Sequence, residues 1–215
     1  MVLLKRNHRW QSELSATELH NERLDMVVKA LLQSNSESVL DLGCGTGQLL
    51  VRLAAEKQFQ KIVGIDQSQE ALAEARALLA LPENAPGENR LSLYHASFTS
   101  FIEDIMVGFD AGAMVETIEH VAPQRLSAVE QTVFSCLRLK TVVVTTPNRE
   151  FNALHGIPEG GFRHPDHRFE WTRAKFRSWA AGVARRNDYL IRFDDIGEFD
   201  PQHGTSTQMA TFSRG

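Results

Sequence analysis

Cysteine is scarce. The 215 residues contain two, Cys44 and Cys136, with no paired spacing around either. That excludes a thiolate zinc site and a disulfide framework, and two reduced, cytosolic thiols are expected. Long apolar runs are missing as well. Nothing approaches the roughly 18 to 20 residues that span a bilayer, and the segment Met1 to Arg6 meets charge before an apolar core develops. Neither secretion nor membrane insertion is expected. Internal repeats and low-complexity tracts are absent. So is a surplus of one charge: 23 basic residues stand against 27 acidic, a net charge of −4, which argues against a general nucleic-acid binder. With 42% hydrophobic and 23% charged residues the composition is that of a globular domain, so disordered and fibrous classes fall away. One domain over 1–215 is expected.

The charge is unevenly divided. From Arg149 to Arg186 eight basic residues face four acidic ones, so this segment carries +4 and the remainder −8. A basic surface on an acidic body suits a short anionic ligand better than a long duplex; a solvated helix face is the plainer reading. Ser15-x-x-Glu18 has capping-box spacing, and Leu24, Val27, Val28 and Leu31 follow at helical period, predicting a first helix over 15–33. Apolar runs then alternate with helical stretches: strands at 38–42, 61–65, 91–94, 109–115 and 139–146, helices from Gln48, over 69–81, from Pro123 and over 172–186, and two final strands near Leu190 and Gln208. Such repeated strand and helix units predict an α/β fold with a doubly wound, mainly parallel sheet. The segments 82–89 and 148–171 exceed ordinary connections, and the second is long enough to carry a function.

Three glycines follow the first strand directly, in Ser38-Val-Leu-Asp-Leu-Gly-Cys-Gly-Thr-Gly47. A dinucleotide fingerprint requires its third glycine at position 48, where Gln48 stands. Asp41 with Gly43, Gly45 and Gly47 resembles instead the first motif of class I S-adenosylmethionine-dependent methyltransferases, a Rossmann-like fold. A cofactor half is placed at 37–115. Asp66, ending the second strand, has the position from which a carboxylate accepts ribose hydroxyls, and Ser97 and Phe98 are weaker candidates for the adenine end.

After the fourth strand comes Val115-Glu-Thr-Ile-Glu-His120. One helical turn brings Glu116, Glu119 and His120 to one side, an oxygen-rich set suited to magnesium or manganese. An acidic turn complementing the dipole of the next helix is the alternative. A second cluster, Phe162-Arg-His-Pro-Asp-His-Arg-Phe-Glu-Trp-Thr-Arg173, offers either His164 or His167 as a fourth ligand.

The segments Glu-Thr-Ile-Glu-His at 116–120, Thr-Thr-Pro-Asn at 145–148 and Arg-His-Pro-Asp-His-Arg-Phe-Glu-Trp-Thr-Arg at 163–173 resemble the HEN methyltransferases, which act on the 2′-hydroxyl of the 3′-terminal ribose of small RNAs. The resemblance spans roughly Leu19 to Arg214. It implies S-adenosylmethionine as methyl donor and one divalent metal held by Glu116, Glu119, His120 and an insert histidine, with His167 favoured over His164. The insert at 148–171 becomes a metal- and RNA-binding element, with Asn148, Arg163, Arg168 and Arg173 toward the substrate and Phe162, Phe169 or Trp171 available to stack on a base. Phe176 and Trp179, at helical spacing, read as core. The implied partners are an RNA 3′ end and, if the chain is of bacterial type, an RNA-repair ligase and end-healing enzyme. The extra domains of plant and bacterial members are not in this sequence, so a stand-alone protein and an excised catalytic domain both stay open. So does the general base. Two rivals are a metal-dependent O-methyltransferase of catechol-like small molecules, which the basic insert disfavours, and a non-catalytic RNA-end-binding module.

Overall fold

A computed structural model describes residues 2–82 and 89–215, with side chains from Thr17 onward. The expected loop at 82–89 lies almost wholly outside the described residues, as does the side chain of Ser15. The first helix, α1, is Val2–Gln33 and so begins well before the expected cap. The strands are β1 (Ser38–Leu42), β2 (Lys61–Asp66), β3 (Leu91–His95), β4 (Ala111–Val115), β5 (Thr141–Pro147), β6 (Leu190–Ile196) and β7 (Thr207–Ser213). Between them lie α2 (Gln48–Ala55), α3 (Gln69–Leu78), α4 (Glu103–Met106), α5 (Leu126–Val129) and α6 (Arg173–Arg186). A 3₁₀ turn at Pro123–Arg125 leads into α5, and a π-helical stretch at Glu130–Cys136 continues it. The start at Pro123 follows from proline's fixed φ and missing donor. Helix α3 stops short of Leu81 because Ala80 turns left-handed, with φ 51°.

The seven strands form one sheet in the order β3-β2-β1-β4-β5-β7-β6. The first five are parallel, and β7 returns antiparallel between β5 and β6. Strand side chains alternate between faces. Val39 and Val143 pack with Leu24, Val27 and Leu31 of α1 and Leu50 and Leu53 of α2. Leu40, Leu42, Val142 and Val144 pack on the other face with Phe134, Phe176 and Phe212. Both faces are therefore covered, as a parallel sheet demands. The chain reverses its winding between β1 and β4, and at the carboxyl ends of those strands such sheets open a crevice. The glycine loop and the Glu116 to His120 segment both emerge there.

Candidate active site

The glycine loop is built by backbone conformation. Gly43, Gly45 and Gly47 have φ of 86°, 50° and 85°, a region that side-chain-bearing residues seldom adopt. Gly43 and Cys44 donate their N–H groups to the Ile65 carbonyl at 2.8 and 3.0 Å, so the loop folds over the end of β2. A Cβ on Gly43 would stand 2.3 Å from Thr117 Cγ2, which leaves glycine as the only fit. At Gly45 a Cβ would meet nothing within 4 Å. It would enter a cavity of about 520 Å³ that runs from Gly43 and Gly45 past Asp66, Gln67, Phe98 and Thr99 to Glu116, His120 and Arg168. An open cradle beside a helix start, in a parallel sheet's crevice, fits the amino-acid and nucleoside parts of S-adenosylmethionine.

Asp66 lines this cavity. Its carboxylate accepts from Gly45 N and Ser68 N, both at 2.8 Å. Two oxygens offer about four acceptor positions, so hydroxyl donors can still be received. Asp41 lies deeper, 2% exposed, with Oδ2 lacking a hydrogen-bond partner. Burial, and then the nearby Asp66, push its carboxyl up to about 8. Ser97, expected at the adenine end, instead closes its own turn by hydrogen bonds with Thr99. Phe98 and Thr99 line the cavity in its place. The sequence reading also missed Arg125, whose guanidinium donates to Thr99 Oγ1.

The segment after β4 is not the single helical turn expected. Glu116 is left-handed, with φ 50°, and a 3₁₀ turn follows at Ile118–His120. A carboxylate residue in so sparsely populated a conformation, at a switch point, is the kind of strain that accompanies function. Thr145 Oγ1 donates to Glu116 Oε1 at 3.2 Å, and the Arg23 guanidinium of α1 stands 3.4 Å from Glu116 Oε2. Glu119 is fully buried: Thr146 Oγ1 donates to its Oε2 at 3.0 Å, while Oε1 has no hydrogen-bond partner. Burial first, and Glu116 next, raise the Glu119 carboxyl well above the usual carboxylate range. The Thr-Thr-Pro-Asn segment thus serves the site through its two threonines.

The insert reaches the same place because Arg168 N donates to the Glu119 carbonyl at 2.8 Å. His120, His164 and His167 come together there, each offering a ligating atom within 4.8 Å of the others. The ring centroids of His120 and His167 are 4.8 Å apart. His167 is buried and its Nδ1 lies 2.6 Å from Glu170 Oε1, which leaves Nε2 as its ligating nitrogen. His164 is half exposed and its Nδ1 accepts from Asp166 N. The geometry gathers both insert histidines where the sequence reading had to choose, and neither glutamate belongs to the three-histidine group itself. Desolvation, then His167 and His164, hold His120 below its ordinary pKa.

The donor set suits a divalent cation on an observation of its own. Glu119 Oε1 is a buried, unpartnered carboxylate oxygen beside a second carboxylate, an arrangement that is costly without a proton or a cation.

Of the four residues expected to meet the substrate, one lines the cavity. Arg168 lines the cavity, and its guanidinium has no partner among the described residues. The other three are structural. Asn148 is fully buried, donates to the His203 and Thr205 carbonyls and caps the following turn. Arg163 spends its guanidinium on Asn152 Oδ1, Ser206 and the Asn148 carbonyl. Arg173 grips Glu150 and also donates to the Gln202 carbonyl. A folded insert must satisfy its own backbone and buried polar groups, and these residues do that. Trp171, 7% exposed, packs against Phe169 with ring centroids 4.3 Å apart.

A methyltransferase-domain family model matches residues 39–140. The chain is 34% identical over 205 residues to the small RNA 2′-O-methyltransferase of Xenopus tropicalis, covering 91% of this chain and 55% of that protein. To the Arabidopsis thaliana protein of the same name it is 32% identical over 215 residues, covering 91% and 22%. It thus spans about half or less of the curated relatives it matches. The crystal structure of the methyltransferase domain of bacterial CtHen1-C is 42% identical, with a TM-score of 0.80 and coverage of 92% of this chain and 99% of that one. A chain of the Pnkp1/Rnl/Hen1 RNA repair complex, 24% identical over 91% of this chain and 41% of that one, shares the fold with a TM-score of 0.65.

Proposed function

Since this chain belongs to the Hen1 family of small RNA 2′-O-methyltransferases, we propose that it methylates the 2′-hydroxyl of the 3′-terminal ribose of an RNA. The observation that carries this reading is a single cavity joining the glycine cradle and Asp66 to Glu116, His120 and Arg168. A methyl donor seated in the cradle and a ribose seated by the carboxylates share that one space.

S-adenosylmethionine supplies a methyl group on a sulfonium centre, which leaves as a thioether when the hydroxyl oxygen attacks, and the hydroxyl proton is released in the end to solvent. Gly43 and Gly45 let the donor approach the backbone, and Asp66 accepts from its ribose hydroxyls. Glu116, Glu119, His120 and His167 would hold a divalent cation, with His164 in reach as a further ligand. When bound, magnesium or manganese there supplies Lewis acidity that makes a neighbouring hydroxyl more acidic. Glu170 fixes the tautomer and ring orientation of His167, and Arg23 and Thr145 hold Glu116. Arg168 presents a cation to the phosphate preceding the terminal ribose. An internal ribose, its 3′ oxygen esterified, offers these donors one hydroxyl fewer. A place beside a ligase and an end-healing enzyme in RNA repair belongs to the same proposal and is supported by the sequence resemblance, and a cytoplasmic location by the two cysteines without paired spacing.

Incubation with labelled cofactor and RNAs ending in a 2′,3′-diol, 2′-deoxy, 3′-deoxy or 3′-phosphate ribose tests the reading. Label should enter the diol end, fail at the 2′-deoxy and 3′-phosphate ends, and stop reversibly with chelator. Equal labelling of diol and 3′-phosphate ends in the presence of chelator would overturn it.

A further inference from the structure

A second hollow of about 380 Å³ lies beside the candidate active site, between the turn entering α5 and one face of α6. Neighbouring residues of the chain line the two spaces and form a partition between them. Ala122, Arg125 and Arg168 line the cofactor cavity, and their immediate successors Pro123, Leu126 and Phe169 line the second hollow. A strand leaving the cavity over this partition would enter the groove.

The chemistry of the groove fits the strand that would do so. Its floor is aromatic, with Phe169 and Trp179 half-buried around the buried Trp171; Trp171 and Trp179 have centroids 5.1 Å apart. Its rim carries Lys175, exposed and without a side-chain partner among the described residues. On the cavity side of the partition Arg168 is equally free. A π-surface flanked by unpaired cations is how single-stranded nucleic acid is held without regard to sequence, bases stacking and phosphates meeting charge. An apolar peptide would gain nothing from Lys175 and Arg168. The wall from α6 is open at its centre, where Ser178 and Gly182 add little bulk.

We propose that this groove is the inboard subsite of the enzyme: it stacks one nucleobase of the RNA strand preceding the terminal nucleotide, with Lys175 on the adjoining phosphate. The proposal rests on the RNA reading above and adds to it which surface receives the rest of the strand. It also revises the role of Trp179, which joins a core cluster on one side and offers a ring on the other.

The test blocks the groove without disturbing what packs beneath it. Ser178 is exposed and makes no side-chain hydrogen bond among the described residues, so Ser178→Trp fills the space from the solvent side of α6. Single-stranded RNAs with a 2′,3′-diol end are used, intact or with one abasic ribose at each of the four positions before the terminal nucleotide. Affinity is measured with S-adenosylhomocysteine present, and tryptophan fluorescence is followed. In the wild type one abasic position should weaken binding by about 5- to 150-fold, the span of one base stack worth roughly 1–3 kcal/mol, and abolish the quenching that intact RNA produces. Ser178→Trp should bind intact RNA as weakly, lose sensitivity to that abasic position and keep its cofactor affinity. Lys175→Glu should weaken binding at every position alike. If intact RNA is methylated by the wild type but no abasic position is coupled to Ser178→Trp, the subsite is overturned while the RNA reading stands. If no RNA is methylated, the RNA reading falls, and the subsite with it. Unchanged RNA affinity in Ser178→Trp, together with lost binding of a repair-partner protein, would reassign the groove to that protein.

Discussion

Glu170 Oε1 sits 2.6 Å from His167 Nδ1, and both side chains are buried. The same oxygen accepts from Arg163 N at 2.7 Å, and Oε2 accepts from Asn152 Nδ2. Burial alone would raise this carboxyl. The hydrogen bonds from His167, Asn152 and Arg163 outweigh it and bring Glu170 below its ordinary value, so it stays an anion and holds the imidazole in one orientation. Glu170→Gln should therefore weaken manganese binding by roughly 10- to 100-fold, the usual cost of losing a ligand's supporting partner. Titration calorimetry with manganese, run beside a thermal melt, checks this. A variant that melts like the wild type and binds manganese equally would remove Glu170 from the site.

Two glycines of the same loop should fail differently. Gly43→Ala combines φ 86° with a Cβ 2.3 Å from Thr117 Cγ2, so the β1 and β4 loops must separate. It should lose about 1–3 kcal/mol of stability as well as cofactor affinity. Gly45→Ala meets no protein atom within 4 Å but puts a methyl group into the cavity. It should cost at most about 1–2 kcal/mol, from its left-handed backbone, and still bind cofactor poorly. Denaturant melts and calorimetry on the pair separate the two effects.

Salt dependence distinguishes the arginine that faces the cavity from those that build the insert. Each single-strand phosphate contact contributes about −0.7 to the slope of log affinity against log salt. Arg168→Ala should flatten the slope for RNA by about that amount. Arg173→Ala should leave the slope alone and lower the melting temperature, since it strands Glu150, whose carboxyl is held low by Arg173. The reverse pattern would return Arg173 to the RNA surface.

Asp110 provides a test by pH. Its carboxylate accepts from Lys140 Nζ at 2.7 Å and from Glu37 N, Ser38 N and Ser38 Oγ, tying the start of β1 to the start of β4. The Lys140 hydrogen bond leads in lowering its carboxyl to about 2, from 3.8 in an unfolded chain. A lowered carboxyl stabilises the fold above the unfolded value and loses that contribution as pH falls through the folded one. Asp110→Asn should thus melt lower than the wild type by a constant margin above about pH 4, and the margin should vanish as pH falls from about 4 to 2. A margin that persists at pH 2 would assign the loss to packing.

Local spacing in the chain encodes the framework of the fold. Alternating apolar runs separated by helical period compel a parallel sheet covered on both faces. Glycines at 43, 45 and 47 specify a left-handed loop, and Asp66 at a strand end and the Glu116 to His120 segment mark the crevice. These are short-range properties of backbone conformation and side-chain period. Which polar groups are left for a ligand depends on long-range partners that spacing does not encode. Arg163, Arg173 and Asn148 look like substrate contacts in a basic insert, yet they are consumed by groups such as Ser206 and Thr205, 43 and 57 residues away in sequence. Arg23 reaches the site from α1, 184 residues from the Thr207 hydroxyl it also binds. The residues alone leave His164 and His167 open and the family resemblance favours His167; in the fold, burial and Glu170 set His167 apart. A charged side chain is a ligand only if the fold has not already satisfied it, and that depends on partners brought close by the sheet and its loops.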